Sequence, residues 1–212
     1  MTDKGNFFVT RFSWVTSRSD KDNNPASLPL YLDMIEKSVI KLEGFIKDII
    51  DYSRNTRIKV TAENINFNKI IEETFEDLQY LDNEGKVIRN IKIDGNGYFK
   101  SDERRISVIL HNLISNAYKY HDYGKDNPEI NIIAEIKPDK VTIRVEDNGQ
   151  GISDEHIHRI FEMFYRGTTT AEGSGLGLFI VRETIEKIGG KIHVESTSGK
   201  GTTFILELPS LN

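Results

Sequence analysis

Apolar residues at Leu28, Leu32, Ile35, Val39, Leu42, Ile46 and Ile49 fall alternately four and three apart, the heptad spacing with which helices supercoil about one another. The spacing predicts a helix over 28–54, with Ser27 as N-cap and Pro29 in the first turn, where its missing N–H costs little. Phe45 and Ile50 widen the stripe, so a bundle of more than two helices is expected, in preference to one amphipathic helix packed on its own domain. Ahead of it, Phe7, Phe8, Val9, Phe12, Trp14 and Val15 could form a short strand before a polar loop, although a floppy terminus is the preferred reading. Beyond a polar connector, Asn66 should cap a helix carrying Ile70, Ile71, Phe75 and Leu78 on one face. Val87, Arg89, Ile91 and Ile93 then alternate as a strand does. A helix is expected over 102–121, followed by a hairpin of strands 129–137 and 140–147 around Pro138 and Asp139. A short helix near 154–161, a loop near 162–174 and a helix from Leu176 to Ile188 precede a second hairpin, 191–196 with 202–208. Hairpins with segregated helices imply an α/β fold, a two-layer sandwich whose mixed sheet is covered by helices on one face. The chain divides into an N-terminal segment over 1–27, a self-association helix over 28–55, a linker over 56–65 and a globular domain over 66–212.

At 212 residues the chain suits one sizeable domain plus an appendage. A formal charge of −5 argues against a nucleic-acid surface. No cysteine occurs, which removes disulfides and thiolate metal sites. No apolar run approaches the roughly 18–20 residues of a membrane span, and the start of the chain has no apolar signal core. The expectation is a cytoplasmic chain without membrane contact of its own, whether free or as the soluble part of a membrane-bound sensor.

The polar residues of the second half are more specific. On the helix over 102–121, Ile106, Ile109, Leu110, Leu113, Ile114 and Ala117 form a core-facing stripe. Asn112, Asn116 and Lys119 share an arc of about 60° beside it. Two amides and an ammonium on one edge suit a magnesium ion and triphosphate oxygens, since magnesium takes hard oxygen donors and keeps several waters; a solvated polar face is the alternative. Asp147 ends a strand and is followed by Asn148, Gly149, Gln150 and Gly151. Its carboxylate can accept from an adenine amino group, while the glycines let backbone approach the base. Gly173, Gly175 and Gly177 lead through Leu176 into an apolar helix, whose N-terminal N–H groups attract phosphate. Neither the GxGxxG dinucleotide fingerprint nor the P-loop is present.

NLISNAYK at 112–119, DNGQG at 147–151, FEMFYRG at 161–167, GSGLGL at 173–178 and GTTF at 201–204, in that order, resemble the ATP-binding domain of sensor histidine kinases, within the GHKL superfamily with its Bergerat fold. The resemblance covers about residues 60–210. It implies Asn116 as magnesium ligand, Asn112 and Lys119 near the phosphates, Tyr120 beside the nucleotide, and a mobile lid between Phe161 and Gly173. Phe161 and Phe164 would anchor that lid. Arg166 either reaches a phosphate or is simply an exposed lid arginine. Thr202 lies near the adenine or Asp147, or merely serves its strand. ATP and Mg2+ are the implied ligands, a response-regulator receiver domain the implied partner, and a homodimer through 28–55 the implied assembly.

The implied reaction moves the γ-phosphoryl of ATP to a histidine and then to an aspartate of the receiver. None of the five histidines, His111, His121, His156, His158 and His193, sits in an acceptor motif, and His111 is expected to face solvent. The helix over 28–54 resembles the second half of a dimerisation hairpin, so the reading favours a chain lacking the first half over a degenerate kinase. No catalytic histidine is assigned, and the chain by itself is expected to bind Mg-ATP without phosphorylating itself. Three rivals stand beside this reading. One is a GHKL ATPase machine, disfavoured because Ile109, Leu110 and His111 supply no carboxylate before Asn112. The others are a serine kinase, which would not need the N-terminal helix, and a non-catalytic interaction module for which nucleotide is only a conformational ligand.

Overall fold

A computed structural model describes residues 28–82, 85–95, 98–122, 124–125, 127–167 and 174–211. The segment read as a floppy terminus or a short strand over Phe7–Val15, and the Ser27 cap, lie outside the described residues. The chain divides into two compact units, Met1–Gly44 and Phe45–Asn212. Of the first unit, the described part is the beginning of helix α1 (Leu28–Arg57). Its heptad residues Leu28, Leu32, Ile35, Val39 and Leu42 are each at least 40% exposed.

In the second unit, the last turns of α1 lead through a short strand, β1 (Glu63–Asn64), into α2 (Phe67–Asp77). Asn66 caps α2, its side chain accepting from Lys69 N at 3.1 Å. A 3-10 turn (Gln79–Leu81) comes next, then β2 (Ile88–Asp94), β3 (Lys100–Ser101) and α3 (Glu103–Lys119), which Asp102 caps by accepting from Arg105 N. The remaining elements are β4 (Glu129–Ile136), β5 (Lys140–Asp147), α4 (Asp154–Ile157), α5 (Gly177–Lys187), β6 (Lys191–Thr197) and β7 (Gly201–Pro209).

The main sheet has five strands in the order β2-β4-β5-β7-β6. β2 runs parallel to β4 and the other neighbours are antiparallel, as a crossover through α3 and two hairpins require. Alternation decides the faces. Ile130, Ile132 and Ala134 of β4, Val141, Ile143 and Val145 of β5, and Phe204, Leu206 and Leu208 of β7 are all buried. They meet Ile70, Ile71 and Phe75 of α2, the α3 stripe from Ile106 to Ala117, and Val181 and Ile185 of α5 in one core. Each such side chain contributes about 1.5–3 kcal/mol of transfer free energy. A separate two-stranded ladder, β1 with β3, fastens the linker: Glu63 pairs with Ser101 and Asn64 with Lys100. This is the two-layer α/β sandwich expected from the hairpins.

Candidate nucleotide site

The carboxyl end of β5 builds one half of the site. Asp147 lies opposite Thr202 of β7 in the antiparallel register, and Gly149 N donates to its Oδ1 at 2.8 Å. Burial pushes the Asp147 carboxyl up to about 6, against the opposing pull of the Gly149 and Thr202 N–H groups and the Lys125 ammonium. An acceptor in so little water discriminates between donors strongly, because a lost partner leaves it unsatisfied.

The turn after Asp147 is held by its neighbours. Lys125 donates from Nζ to the carbonyls of Asn148, Gly149 and Gly199. Asn148 bridges to the start of β4, accepting Glu129 N at 3.0 Å and donating to Asn127 O at 2.8 Å. Gln150 N donates to Tyr120 O at 2.9 Å, tying the turn to the end of α3. Gly151 has φ 68°, and a Cβ there would stand 2.0 Å from Thr197 O, so only glycine fits. The Ser196 hydroxyl donates to Gly201 O at 2.9 Å and accepts Ile152 N at 2.8 Å. Its one proton is therefore engaged, and Thr202 is the donor of the 3.0 Å bond between their hydroxyls.

The other half of the site is the crevice between α3 and α5. Asn112 donates from Nδ2 to Val108 O at 2.9 Å, which turns its Oδ1 towards Gly177, the first residue of α5. A Cβ on Gly177 would stand 2.7 Å from that oxygen. Among the described residues no side chain caps α5, so the N–H groups of its first turn keep their positive end for an incoming anion. Leu176 is buried ahead of them, its N–H donating to Ser174 Oγ at 3.0 Å.

Asn116 lies one turn beyond Asn112 and is half-buried, and Lys119 is exposed on the last turn of α3. Tyr120 ends that helix as its C-cap. Burial pushes its phenol up and the Arg166 guanidinium pulls it down; Arg166 itself is exposed. His111, expected in solvent, is half-buried: its position on the wheel borders the apolar stripe instead of opposing it.

Residues 168–173, part of the expected lid, lie outside the described residues; on either side of them Phe164 N donates to Gly175 O at 2.9 Å. Phe164 has φ 64°, an unfavourable left-handed conformation for a bulky residue. Phe161 packs edge-on against Phe204, with centroids 6.5 Å apart. His156 Nδ1 and Tyr165 Oη lie 2.8 Å apart. Gly173 lies outside the described residues.

Asp147, Gly149, Gly151, Tyr120 and Thr202 thus come together at the sheet end, and Asn112 meets Gly177 in the crevice, with Leu176 just ahead of it; Gly175 lies against Phe164 and Tyr165 instead. Asn116 and Lys119 follow Asn112 along α3, and Arg166 is exposed near the end of the described stretch 127–167. Sequence reasoning missed Lys125 and Ser196. Lys125 sits in an aperiodic polar loop and Ser196 at the end of a strand, and neither position carries a pattern that singles it out.

Residues 101–212 match the family described as histidine kinase-, DNA gyrase B- and HSP90-like ATPases. The chain is 34% identical over 183 residues to the methanogenesis regulatory histidine kinase FilI of Methanothrix harundinacea (strain 6Ac), which covers 84% of this chain and 20% of that protein. It is 28% identical over 195 residues to the sensor protein kinase WalK of Staphylococcus haemolyticus (strain JCSC1435), 89% of this chain and 31% of that one. The chain therefore spans between a fifth and a third of the length of these curated relatives. Among solved structures, histidine kinase ThkA in complex with the response regulator protein TrrA superposes with a TM-score of 0.73 at 27% identity, over 96% of this chain and 58% of that one. The Acinetobacter baumannii histidine kinase AdeS shares the fold with a TM-score of 0.72 at 20% identity, over 97% and 96% of the two chains. With the matched residues spanning both the Asp147 turn and the α3–α5 crevice, the chain belongs to the histidine kinase-, DNA gyrase B- and HSP90-like ATPase family, and within it to the catalytic domains of sensor histidine kinases.

Proposed function

We propose that this chain binds Mg-ATP and presents its γ-phosphoryl to a histidine acceptor, as the catalytic region of a two-component sensor histidine kinase. The observation that carries the reading is the pairing of a desolvated carboxylate at Asp147 with a helix N-terminus at Gly177 that no described side chain caps: one end suits the adenine amino group, the other the phosphates. Asp147 accepts from the base, with Tyr120 alongside it. Asn112, Lys119, Arg166 and the first N–H groups of α5 hold the triphosphate. Chemistry of this type needs positioning and charge neutralisation more than a covalent partner from the protein.

The donors present suit magnesium. Among the described residues no group of three His, Cys, Asp or Glu side chains could cage a metal, while the Asn116 carboxamide on the phosphate side supplies a hard oxygen of the kind magnesium shares with phosphates and water. When bound, the ion would neutralise charge on the phosphate oxygens. Orienting the nucleotide remains the work of α3 and α5.

For assembly, the proposal is a dimerisation helix over 28–55, a linker over 56–65 and an ATP domain over 66–212, with a homodimer formed along the α1 heptads. A response-regulator receiver is the proposed downstream partner, which the ThkA–TrrA complex supports by kind. The proposed acceptor is none of the five histidines of this chain. Incubation with γ-labelled ATP and magnesium, scored for acid-labile, base-stable label, tests this alongside titration with a non-hydrolysable ATP analogue. Binding without label is the expected result. Label on the chain would overturn the acceptor assignment, and failure to bind would overturn the site.

A further inference from the structure

Arg105 is used neither by the core nor by the nucleotide. It lies at the start of α3 and is only 5% exposed, with Asp102 at 4% and Asn55 at 9%. Its guanidinium works as a fork with two directions. One arm donates to Asp102 Oδ2, within its own helix turn. The others reach across to the end of α1 and the first residue beyond it: Nε to Asn55 Oδ1 at 2.9 Å, and Nη2 to Asn55 O at 3.0 Å and Ile58 O at 2.7 Å. Asp102 returns the connection by accepting Thr61 N at 3.1 Å. A planar, always charged donor is the group that can take the last carbonyls of a helix and a carboxylate together. Beside the fork lies a cleft of about 240 Å³, which Thr184 lines with a buried hydroxyl that has no hydrogen-bond partner among the described residues. Hydrogen bonds, not close packing, therefore hold the end of α1 at this point.

Further up α1, Phe45 stacks on Phe164 with centroids 6.2 Å apart, Asp48 accepts from the Ser174 hydroxyl, and Tyr52 tilts on Phe179 at 5.5 Å. Those contacts touch the lid ends and the start of α5. The Arg105 contacts instead touch α3, the helix that carries Asn112 and Asn116 two and three turns further along. The linker below is also fastened by the ladder of β1 with β3.

We propose that Arg105 is a positioning residue: with Asp102 and Asn55 it fixes the direction in which residues 45–57 leave α3, and so the geometry between α1 and the phosphate-binding edge of that helix. The functional weight of this geometry rests on the nucleotide reading above; the clamp itself does not.

The chain has no cysteine, so paired cysteines for spin labels at Ile46 and Glu207 report the direction of α1 without a background. Measurements use label-diluted protein in an Asp48→Ala background, which removes the second polar tether. Arg105→Lys keeps the charge and loses the fork, and it should widen the distance distribution about twofold or more. Its affinity for the ATP analogue should stay within about threefold, as for sites that share no partner. Asn55→Asp, which still accepts from Nε, should keep the parental width. If Arg105→Lys proves unable to fold, Asn55→Leu removes one arm from outside the core and should widen the distribution too. A distribution as narrow as the parent's in the variant that folds overturns the proposal, as does a loss of analogue affinity beyond about tenfold, which would move Arg105 into the nucleotide site. An unaltered chain that binds no analogue would sink the nucleotide reading, while the distances still decide the clamp.

Discussion

Asp147 carries a measurable cost. An acid whose folded value stands at about 6 against 3.8 for the free group binds protons more readily folded than unfolded. Stability is therefore unaffected below the lower value, falls as pH rises between the two, and is lower by up to about 3 kcal/mol above the higher one. Asp147→Asn should raise the melting temperature at pH 7.5 and flatten its dependence between pH 4 and 6, in a calorimetric series against the parent. The same variant should lose about 10–100-fold in affinity for an ATP analogue, the worth of a hydrogen bond to a charged acceptor. In the parent, affinity should hold from pH 8 to 7 and fall about tenfold by pH 5, where most of the carboxyl is protonated; a slope that persists in Asp147→Asn would assign it to other groups. Asp147 could be picked out in the sequence because a strand, an acid and two glycines follow one another there. Lys125, which braces the same turn through three carbonyls, could not, because its partners are main-chain atoms that any sequence possesses.

Among the elements, the crevice between α3 and α5 depends on a missing side chain. Gly177, the first residue of α5, has no positive φ, so an alanine there meets no backbone strain. Its methyl would nevertheless stand 2.7 Å from Asn112 Oδ1, and the amide, being the end of a side chain, would swing away. Gly177→Ala should therefore keep or raise the melting temperature while weakening analogue binding by about tenfold or more; unchanged affinity would remove Asn112 from the phosphate end. Long periodic elements such as α3, the β4–β5 hairpin and the β6–β7 hairpin were readable from apolar spacing alone. β1 and β3 were not: two residues carry no period, and only their pairing across the chain, Glu63 with Ser101, makes them strands. The Arg105 fork was hidden for a related reason, since it joins positions about fifty residues apart through backbone carbonyls.

At the scale of the molecule, the heptad residues of α1 remain in water in a single chain, from Leu28 at 58% to Ile49 at 45% exposed. A stripe of that length on one helix favours association with another copy. Sedimentation velocity across a concentration series should show self-association, and Ile35→Lys with Val39→Lys should reduce it to monomer without changing analogue affinity. A chain monomeric at all concentrations would remove the seam from the assembly. Gly151 bears on how such a protein would age. Thr197 O closes the space where its Cβ would go, so the fold demands glycine there whether or not ATP ever binds. A lineage released from selection for ATP binding would retain Gly151 and drift first at Asp147 and Asn116. Among divergent copies of this domain, those two side chains would separate living enzymes from silent scaffolds, and the glycine turn would not.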